Sequence, residues 1–186
     1  MYSSKIICNE FKKNVKDQIY DIPVTDLLSA WQNGLANKTK FYEKLFKDVA
    51  SRMGHEIEYE RFRCDSTIVD KNKFPLVLIE TENKHTTATT EVHQLCGIVS
   101  PVKALVLSCE WADSEREKWL PKWQEIIRTY NSTFPINSRF CIIISEWGRK
   151  ITNDEILRFY FISLDSNGEI IDDLEWEIES SVFYAL

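Results

Sequence analysis

The spacing of apolar residues predicts helices in the first third of the chain. A stripe at near-helical intervals covers 5–19, and a second short helix is expected over 23–35, where Pro23 suits a first turn. A third apolar stripe covers 39–53 and ends at Gly54, the residue type that most often follows a helix C-terminus. These segments indicate an N-terminal helical layer followed by a longer helix.

Beyond the third helix the pattern changes from helical to alternating. Apolar and charged residues alternate through 57–64, which predicts one or two strands. A turn at 70–73 separates them from 74–82, an almost unbroken apolar run that ends in Glu80 and Glu82. This run predicts a central, buried strand.

A strand, a helix and a strand then follow in order. Helical spacing after Thr86 predicts a helix that includes Val99 in its apolar stripe and that Pro101 closes. Residues 102–109 predict a second buried strand. Because the crossover spans about 20 residues, it favours parallel pairing between this strand and 74–82.

The last third of the chain predicts one helix and three strands. Ser114 and Glu117 form a capping-box pattern ahead of a helix that carries Trp119 and Trp123. For this tryptophan stripe, core packing is favoured over stacking on nucleic-acid bases. The three strands are expected at 139–146, 157–164 and 169–171 or slightly beyond. The predicted class is therefore α/β with a mixed sheet flanked by helices.

No internal repeat and no linker rich in Ser, Gly or Pro divides the sequence, so we expect one domain over 1–186. Its core is expected at roughly 39–110. The N-terminal helical layer occupies 1–37, and a C-terminal helix with strands occupies 111–186.

Composition narrows the class of protein. The 186 residues are 44% hydrophobic, which is typical of a globular chain rather than a disordered one. Apolar runs stay shorter than the roughly 18–20 residues of a membrane helix, and the first residues do not resemble a secretory signal. We therefore expect a cytoplasmic protein without a membrane partner. Five widely spaced cysteines predict reduced thiols rather than disulfides or a zinc site.

The net charge of −6 is unevenly distributed. Residues 151–186 carry 1 basic and 9 acidic side chains, so the preceding part of the chain is slightly basic. The acidic segment is interpreted as a solvated face that aids solubility. The acidity of the whole chain therefore does not exclude a nucleic-acid partner.

Three carboxylates are the candidates for chemistry. Glu80 and Glu82 are two apart in a predicted strand, so their side chains project from the same face. Asp65 comes 15 residues before Glu80, which brings the two side chains together if two antiparallel strands are joined by a short turn. Grouped carboxylates need a compensating charge, and oxygen ligands without His or Cys favour Mg²⁺ or Mn²⁺.

The order of these elements resembles the α-β-β-β-α-β core of the PD-(D/E)xK nuclease superfamily, the restriction-endonuclease-like fold, over roughly 39–110. The resemblance implies that Asp65 and Glu80 bind the metal and that the Thr81 carbonyl is a further ligand. Glu82 takes the third position, which is usually lysine but is glutamate in the ExE variants of some restriction enzymes. Glu43 matches an auxiliary glutamate of the first helix.

The function implied by the resemblance is a metal-dependent nuclease, in particular an endonuclease, that hydrolyses phosphodiester bonds in DNA rather than RNA. The alternative is a catalytically inactive, nuclease-like binding or regulatory protein. Restriction-type enzymes are often dimers, so a homodimer is a further expectation. Basic residues of 38–52 and 116–128 are candidate phosphate contacts, although such residues are more often solvated helix faces.

Each candidate also has a purely structural interpretation. Glu80 and Glu82 would then be the exposed end of a strand, with Lys84 pairing locally. Asp65 would be a turn residue and Glu43 part of a solvated helix face.

The helix after Glu82 supplies two further candidates. His93 and Gln94 fall on this helix and could face the carboxylates. For His93, a packing role is favoured.

Overall fold

The structure is a computed structural model that describes residues 3–32, 35–149 and 155–179. Its described helices are α1 (Ser4–Asp21), α2 (Val24–Gln32), α3 (Leu35–Arg52), α4 (His85–Cys96) and α5 (Asp113–Thr133). Its described strands are β1 (Glu56–Tyr59), β2 (Ser66–Val69), β3 (Pro75–Glu82), β4 (Val102–Ser108), β5 (Arg139–Arg149), β6 (Glu155–Leu164) and β7 (Ile170–Glu179).

The seven described strands form one mixed sheet in sequential order from β1 to β7. β3, β4 and β5 are parallel neighbours, and the remaining neighbours pair antiparallel. The predicted parallel pairing of the two buried strands is confirmed, with Glu80 opposite Leu105. The protein is therefore a mixed α/β protein whose sheet is flanked by helices, as the pattern predicts at the level of class.

Helices cover both faces of the sheet. Ala104 of β4 belongs to the apolar core under α1, α2 and α3, whereas its neighbour Leu105 belongs to the core under α4 and α5. Ile79 and Leu78 of β3 divide in the same way. Because both faces are buried, these strands read as continuous apolar runs rather than as alternating ones.

The segment after β1 departs from the predicted alternation. Residues Arg61–Arg63 form a 3-10 turn, and Cys64 follows it rather than lying in a strand. Phe62 and Arg63 have φ angles of 57° and 66°, in the left-handed region that a strand does not use. Arg61 pairs with Glu58 and packs over the Phe62 ring, so local contacts hold the turn. The prediction that Phe62 and Cys64 continue the strands is wrong.

Two predicted helix ends are also wrong. α4 ends at Cys96, well before Pro101, and Val99 is 63% exposed instead of packed. The Cys96 carbonyl accepts a hydrogen bond from the buried Lys103 ammonium, which satisfies one of the last carbonyls of the helix.

The predicted capping box does not form at the start of α5. Ala112 is the N-cap, no side chain caps this end, and Ser114 lies inside the first turn. Asp113 and Glu115 are also in that turn, where negative charge interacts favourably with the helix dipole.

The C-terminal strands are longer than predicted. β7 covers Ile170–Glu179 instead of 169–171 and pairs with β6 over its length. Its acidic residues obscured the strand pattern, but they form ion pairs with the helices on either face. Lys12 of α1 pairs with Asp172, and Arg116 of α5 pairs with Asp173.

Two further predictions fall partly outside the described residues. α2 ends at Gln32 and α3 begins at Leu35, so part of the predicted 23–35 helix falls on 33–34, outside the described residues. Part of the acidic 151–186 segment lies outside them as well. None of the helices that the structure describes is both long and apolar enough to cross a membrane. All five cysteines are free thiols, as predicted.

Candidate functional site

Asp65 and Glu80 lie next to each other at the carboxyl end of β3. Ser66 of β2 pairs with Ile79, which places the residue before β2 beside Glu80. The Asp65 backbone N–H donates to Glu80 Oε2 at 3.4 Å. The Thr81 backbone N–H and hydroxyl donate to Asp65 Oδ2 at 2.9 and 2.5 Å. The structure therefore brings together Asp65, Glu80 and Thr81.

Glu80 is a buried carboxyl group, only 3% exposed. The Gln94 side-chain amide donates to its Oε1 at 2.6 Å. Burial, then the charges of Asp65 and Glu91, raises the pKa of Glu80 to about 7. Hydrogen bonds from the Asp65 backbone and the Cys64 thiol oppose that rise. Glu80 is therefore partly protonated near neutral pH.

Glu82 and Glu91 extend the group of carboxylates. Glu82 accepts a hydrogen bond from the Thr87 hydroxyl at 2.6 Å and lies on the α4 side of the sheet, as does Glu80. Burial, followed by the charges of Glu82 and Asp65, raises the pKa of Glu91. Within the described ranges, none of these four carboxylates forms an ion pair with a Lys, Arg or His side chain.

In the described contacts, therefore, Lys84 does not pair with the carboxylates at the end of β3. β3 ends at Glu82, and Lys84 is the exposed N-cap residue of α4.

Glu43 lies on the other side of β3 from Glu80. It is an exposed residue of α3 and borders a cavity of about 230 Å³ that Asp65 and Thr81 also line. The Tyr59 hydroxyl donates to the Glu43 carbonyl at 3.4 Å. Burial, then the charges of Glu43 and Asp48, raises the pKa of Tyr59. Glu43 thus shares a cavity with Asp65, whereas Glu80 and Glu82 face α4.

A buried hydroxyl cluster includes Tyr42, which lines the same cavity. The Tyr42 hydroxyl lies 2.9 Å from Ser108 Oγ and 2.7 Å from Ser145 Oγ, and the two serine oxygens are 3.0 Å apart. Burial raises the pKa of Tyr42 to about 12, so its hydroxyl keeps its proton. These bonds join α3 to the carboxyl ends of β4 and β5.

Metal binding by these carboxylates depends on whether their oxygens converge on one point. Among the described residues, no group of three or more His, Cys, Asp or Glu side chains is arranged to hold a metal ion. Asp65 and Glu80 face different layers, because Thr81 holds the Asp65 carboxylate on the α3 side. Mg²⁺ commonly takes only one or two protein carboxylates and several waters. The Mg²⁺ or Mn²⁺ cofactor therefore stays a prediction.

The helix after β3 contributes Gln94 rather than His93. His93 is exposed, and its ring meets Tyr130 edge-on with ring centroids 5.7 Å apart. Three polar residues of α4 at spacings of four and three, namely Thr87, Glu91 and Gln94, face the carboxylates. This polar stripe is the sequence signal that could have identified Glu91.

A second polar cluster lies at the carboxyl end of β4. His85 Nε2 is 3.2 Å from Cys109 Sγ, and its Nδ1 is 3.5 Å from a Glu115 oxygen. The His85 ring stacks with Trp111 and Trp119 at 5.9 and 5.7 Å. Burial, then the charges of Glu146 and other carboxylates, raises the pKa of Cys109 to about 12. Such a thiol is protonated and poorly nucleophilic at neutral pH.

Comparison with known proteins gives no family. Neither a protein-family model nor a curated protein matches the chain. Among solved structures, the chain is similar to a carbon-nitrogen hydrolase from Helicobacter pylori G27, with a TM-score of 0.39 and 8% sequence identity. The alignment covers 79% of this chain and 70% of the hydrolase. A likeness at this level does not assign a function to the chain.

The comparisons correct the predicted family. The similar structure is a carbon-nitrogen hydrolase, not a nuclease of the PD-(D/E)xK superfamily, and no family model supports that superfamily. The prediction of a metal-dependent endonuclease is therefore wrong, and so is its alternative of an inactive nuclease-like protein. The nuclease-like motif is short. The same carboxylates are also expected where a buried strand ends beside a turn.

Proposed function

We propose that the protein is a hydrolase in which Asp65 acts as a general base and Glu80 sets its basicity. The observation that carries this proposal is the buried Glu80 carboxyl, which has a pKa of about 7 and lies beside Asp65. Acid–base sites commonly contain two neighbouring carboxyl groups whose surroundings give them different pKa values.

Asp65 and Glu80 have different surroundings, and these define their roles. Asp65 accepts hydrogen bonds from the Thr81 backbone N–H and hydroxyl, whereas burial raises the pKa of Glu80. Asp65 also lines the cavity, so it can remove a proton from water there. Glu80 is a positioning residue, because it acts through its charge on Asp65.

The cavity defines the class of substrate. Three carboxylates border it, from Glu43, Glu60 and Asp65, and none of the described residues that line it is basic. A volume of about 230 Å³ admits a small molecule. The negative potential favours a neutral or cationic substrate over an anionic one.

Several expectations stay predictions beside this proposal. Nucleic acid as a partner rests on the basic residues of 38–52 and 116–128, not on the cavity. A homodimer and a cytoplasmic location are likewise predictions that the fold does not test.

The proposal is tested by hydrolysis of p-nitrophenyl esters and p-nitroanilides whose acyl groups are neutral, cationic or anionic. We expect turnover of the neutral and cationic compounds and its loss in Asp65→Asn. In Glu80→Gln we expect residual turnover without the rise in rate that wild type shows as the pH passes through about 7. Glu117→Gln, an exposed change on α5, is the matched charge control.

Two results would contradict the proposal. One is equal turnover by wild type and Asp65→Asn; the other is no turnover of any compound in the panel. Repeating the assay with a chelator and with added Mg²⁺ or Mn²⁺ separates general-base catalysis by Asp65 from metal binding. A strict metal requirement, with the Glu80 titration moved to lower pH by the ion, would replace the general-base proposal by a metal site.

A further inference from the structure

A second cavity lies at the opposite end of the sheet from Asp65. It measures about 20 Å³ and is lined by residues from the start of β4 and β5, the C-terminal half of α5 and the loops that follow. A volume of this size holds one water-sized species. Its polar lining residues are Lys103, Tyr130, Asn131, Ser138 and Ser166, and no carboxylate of the described residues lines it.

Lys103 is the unusual member of this lining. The residue is only 2% exposed, and its Nζ donates to the Cys96 carbonyl at 3.3 Å and lies 5.4 Å from the Phe140 ring centroid. These contacts account for one of its three N–H donors. Burial lowers its pKa, which expresses the cost of an ammonium held away from water.

The charge of Lys103 is only partly balanced. The Cys96 carbonyl stands at the C-terminal end of α4, where the helix dipole supplies about half a unit of negative charge. No Asp or Glu side chain of the described chain forms an ion pair with Lys103. Removing an ammonium from water without a full counter-charge is costly, so a small anion would stabilise this arrangement.

Two of the remaining lining residues have hydroxyl groups available to donate to an anion. Ser138 donates its hydroxyl to the Ser100 carbonyl, and Asn131 is engaged with Asn167 and with the backbone of Ile136. The hydroxyls of Tyr130 and Ser166 make no hydrogen bond to any described residue, so their O–H groups can serve as donors.

We propose that this cavity binds one water-sized monovalent anion, namely chloride, against the Lys103 ammonium. The proposal is independent of the Asp65 and Glu80 site, which lies at the other end of the sheet. Chloride fits because the cavity has room for one water-sized species and the described lining offers donors but no negative charge.

The test compares thermal unfolding in sodium chloride and in sodium gluconate at equal ionic strength and neutral pH. For wild type we expect chloride, at about ten times its dissociation constant, to raise Tm by about 3 °C over gluconate. Lys103→Met keeps the side-chain length without the charge and should show no such difference. Lys71→Met removes an exposed lysine and should behave as wild type does.

A second measurement needs no variant. Wild type should broaden the chloride NMR signal, and unlabelled bromide, another halide of similar size, should reverse that broadening by competition. No broadening by folded wild type would mean that water fills the cavity or that Lys103 is neutral, and it would overturn the proposal. An equal chloride effect on Tm in wild type and Lys103→Met would overturn it as well.

Discussion

The side-chain amide of Gln94 donates to Glu80 Oε1 at 2.6 Å and to the Arg63 carbonyl at 2.8 Å. One residue of α4 therefore uses both of its amide protons to hold the end of β3 and the turn before β2 together. The Glu80 carboxyl is positioned from the side opposite to the cavity, which leaves the Asp65 side free for a ligand.

Replacing Gln94 should weaken this junction. We expect Gln94→Leu to lower the free energy of unfolding by about 1–3 kcal/mol, because the buried Glu80 oxygen loses its donor. His93→Leu changes the neighbouring exposed residue and should cost less than about 0.5 kcal/mol. Urea unfolding measures both. Equal losses in the two variants would show that the bond to Glu80 contributes nothing specific.

Glu80 should make stability depend on pH. Its pKa rises from the ordinary 4.5 to about 7 on folding, so the folded state binds a proton more tightly than the unfolded state. The stabilisation is complete below about pH 4.5 and is lost as the pH rises through about 7, a change of about 3 kcal/mol for this group.

Glu80→Gln removes that titration. The difference in unfolding free energy between wild type and Glu80→Gln should therefore change between pH 4.5 and 7 and be constant above. Glu117→Gln, on the exposed face of α5, should give a nearly flat difference over the same range. A flat difference for Glu80→Gln would mean that Glu80 ionises as an ordinary carboxyl group does.

Tyr42 should contribute stability through its hydroxyl. Tyr42→Phe removes bonds to Ser108 and Ser145, which are buried and would lose a shared partner. We expect a loss of about 1–3 kcal/mol in urea unfolding. Tyr20→Phe is the control, because Tyr20 is exposed and should change stability by less than about 0.5 kcal/mol. Comparable effects at both positions would contradict a structural role for the cluster.

Gly168 is sensitive because of both its backbone angle and its surroundings. Its φ is +77°, and a Cβ atom would lie 2.6 Å from the Gln124 carbonyl oxygen. Gly168→Ala should cost more than about 2 kcal/mol. Gly54→Ala has a similar φ of +71° with no atom within 4 Å, so it should cost only about 1 kcal/mol. The difference between the two Tm values isolates the clash.

Cys109 should react slowly for a partly exposed thiol. With its pKa raised to about 12 from the ordinary 9.0, the thiolate population falls about a thousandfold. Iodoacetamide should therefore modify Cys109 at least about a hundredfold more slowly in the folded protein than in urea. Mass spectrometry beside Cys109→Ser identifies the site. Rapid alkylation of the folded wild type at Cys109 would contradict the raised pKa.

The central part of the fold was predictable because its signals are local and strong. β3 and β4 are mostly apolar. The connection between them is long enough for a crossover, so parallel pairing followed from the sequence. The proximity of Asp65 and Glu80 likewise followed from the length of the hairpin between them. Each of these inferences used spacing alone.

The failures came from features that spacing does not encode. Phe62 and Arg63 adopt positive φ angles without glycine, so nothing in the sequence marks the turn. The end of α4 depends on Lys103, a residue in the following strand. The separation of Asp65 from Glu80 into different layers depends on hydrogen bonds from Thr81. The last two are tertiary contacts, and the first is a turn that local contacts hold.

The packing of α1 has a consequence for the order in which the chain can fold during synthesis. Phe11 and Val15 of α1 lie in the same core as Ile143 and Phe159, which leave the ribosome some 130 residues later. At about 5–20 residues per second this delay is on the order of ten seconds. Until then α1 can pack against α3, where Phe11 stacks on Phe46, but not against β5 and β6, so apolar surface of the nascent chain stays uncovered and available to chaperones that bind apolar segments.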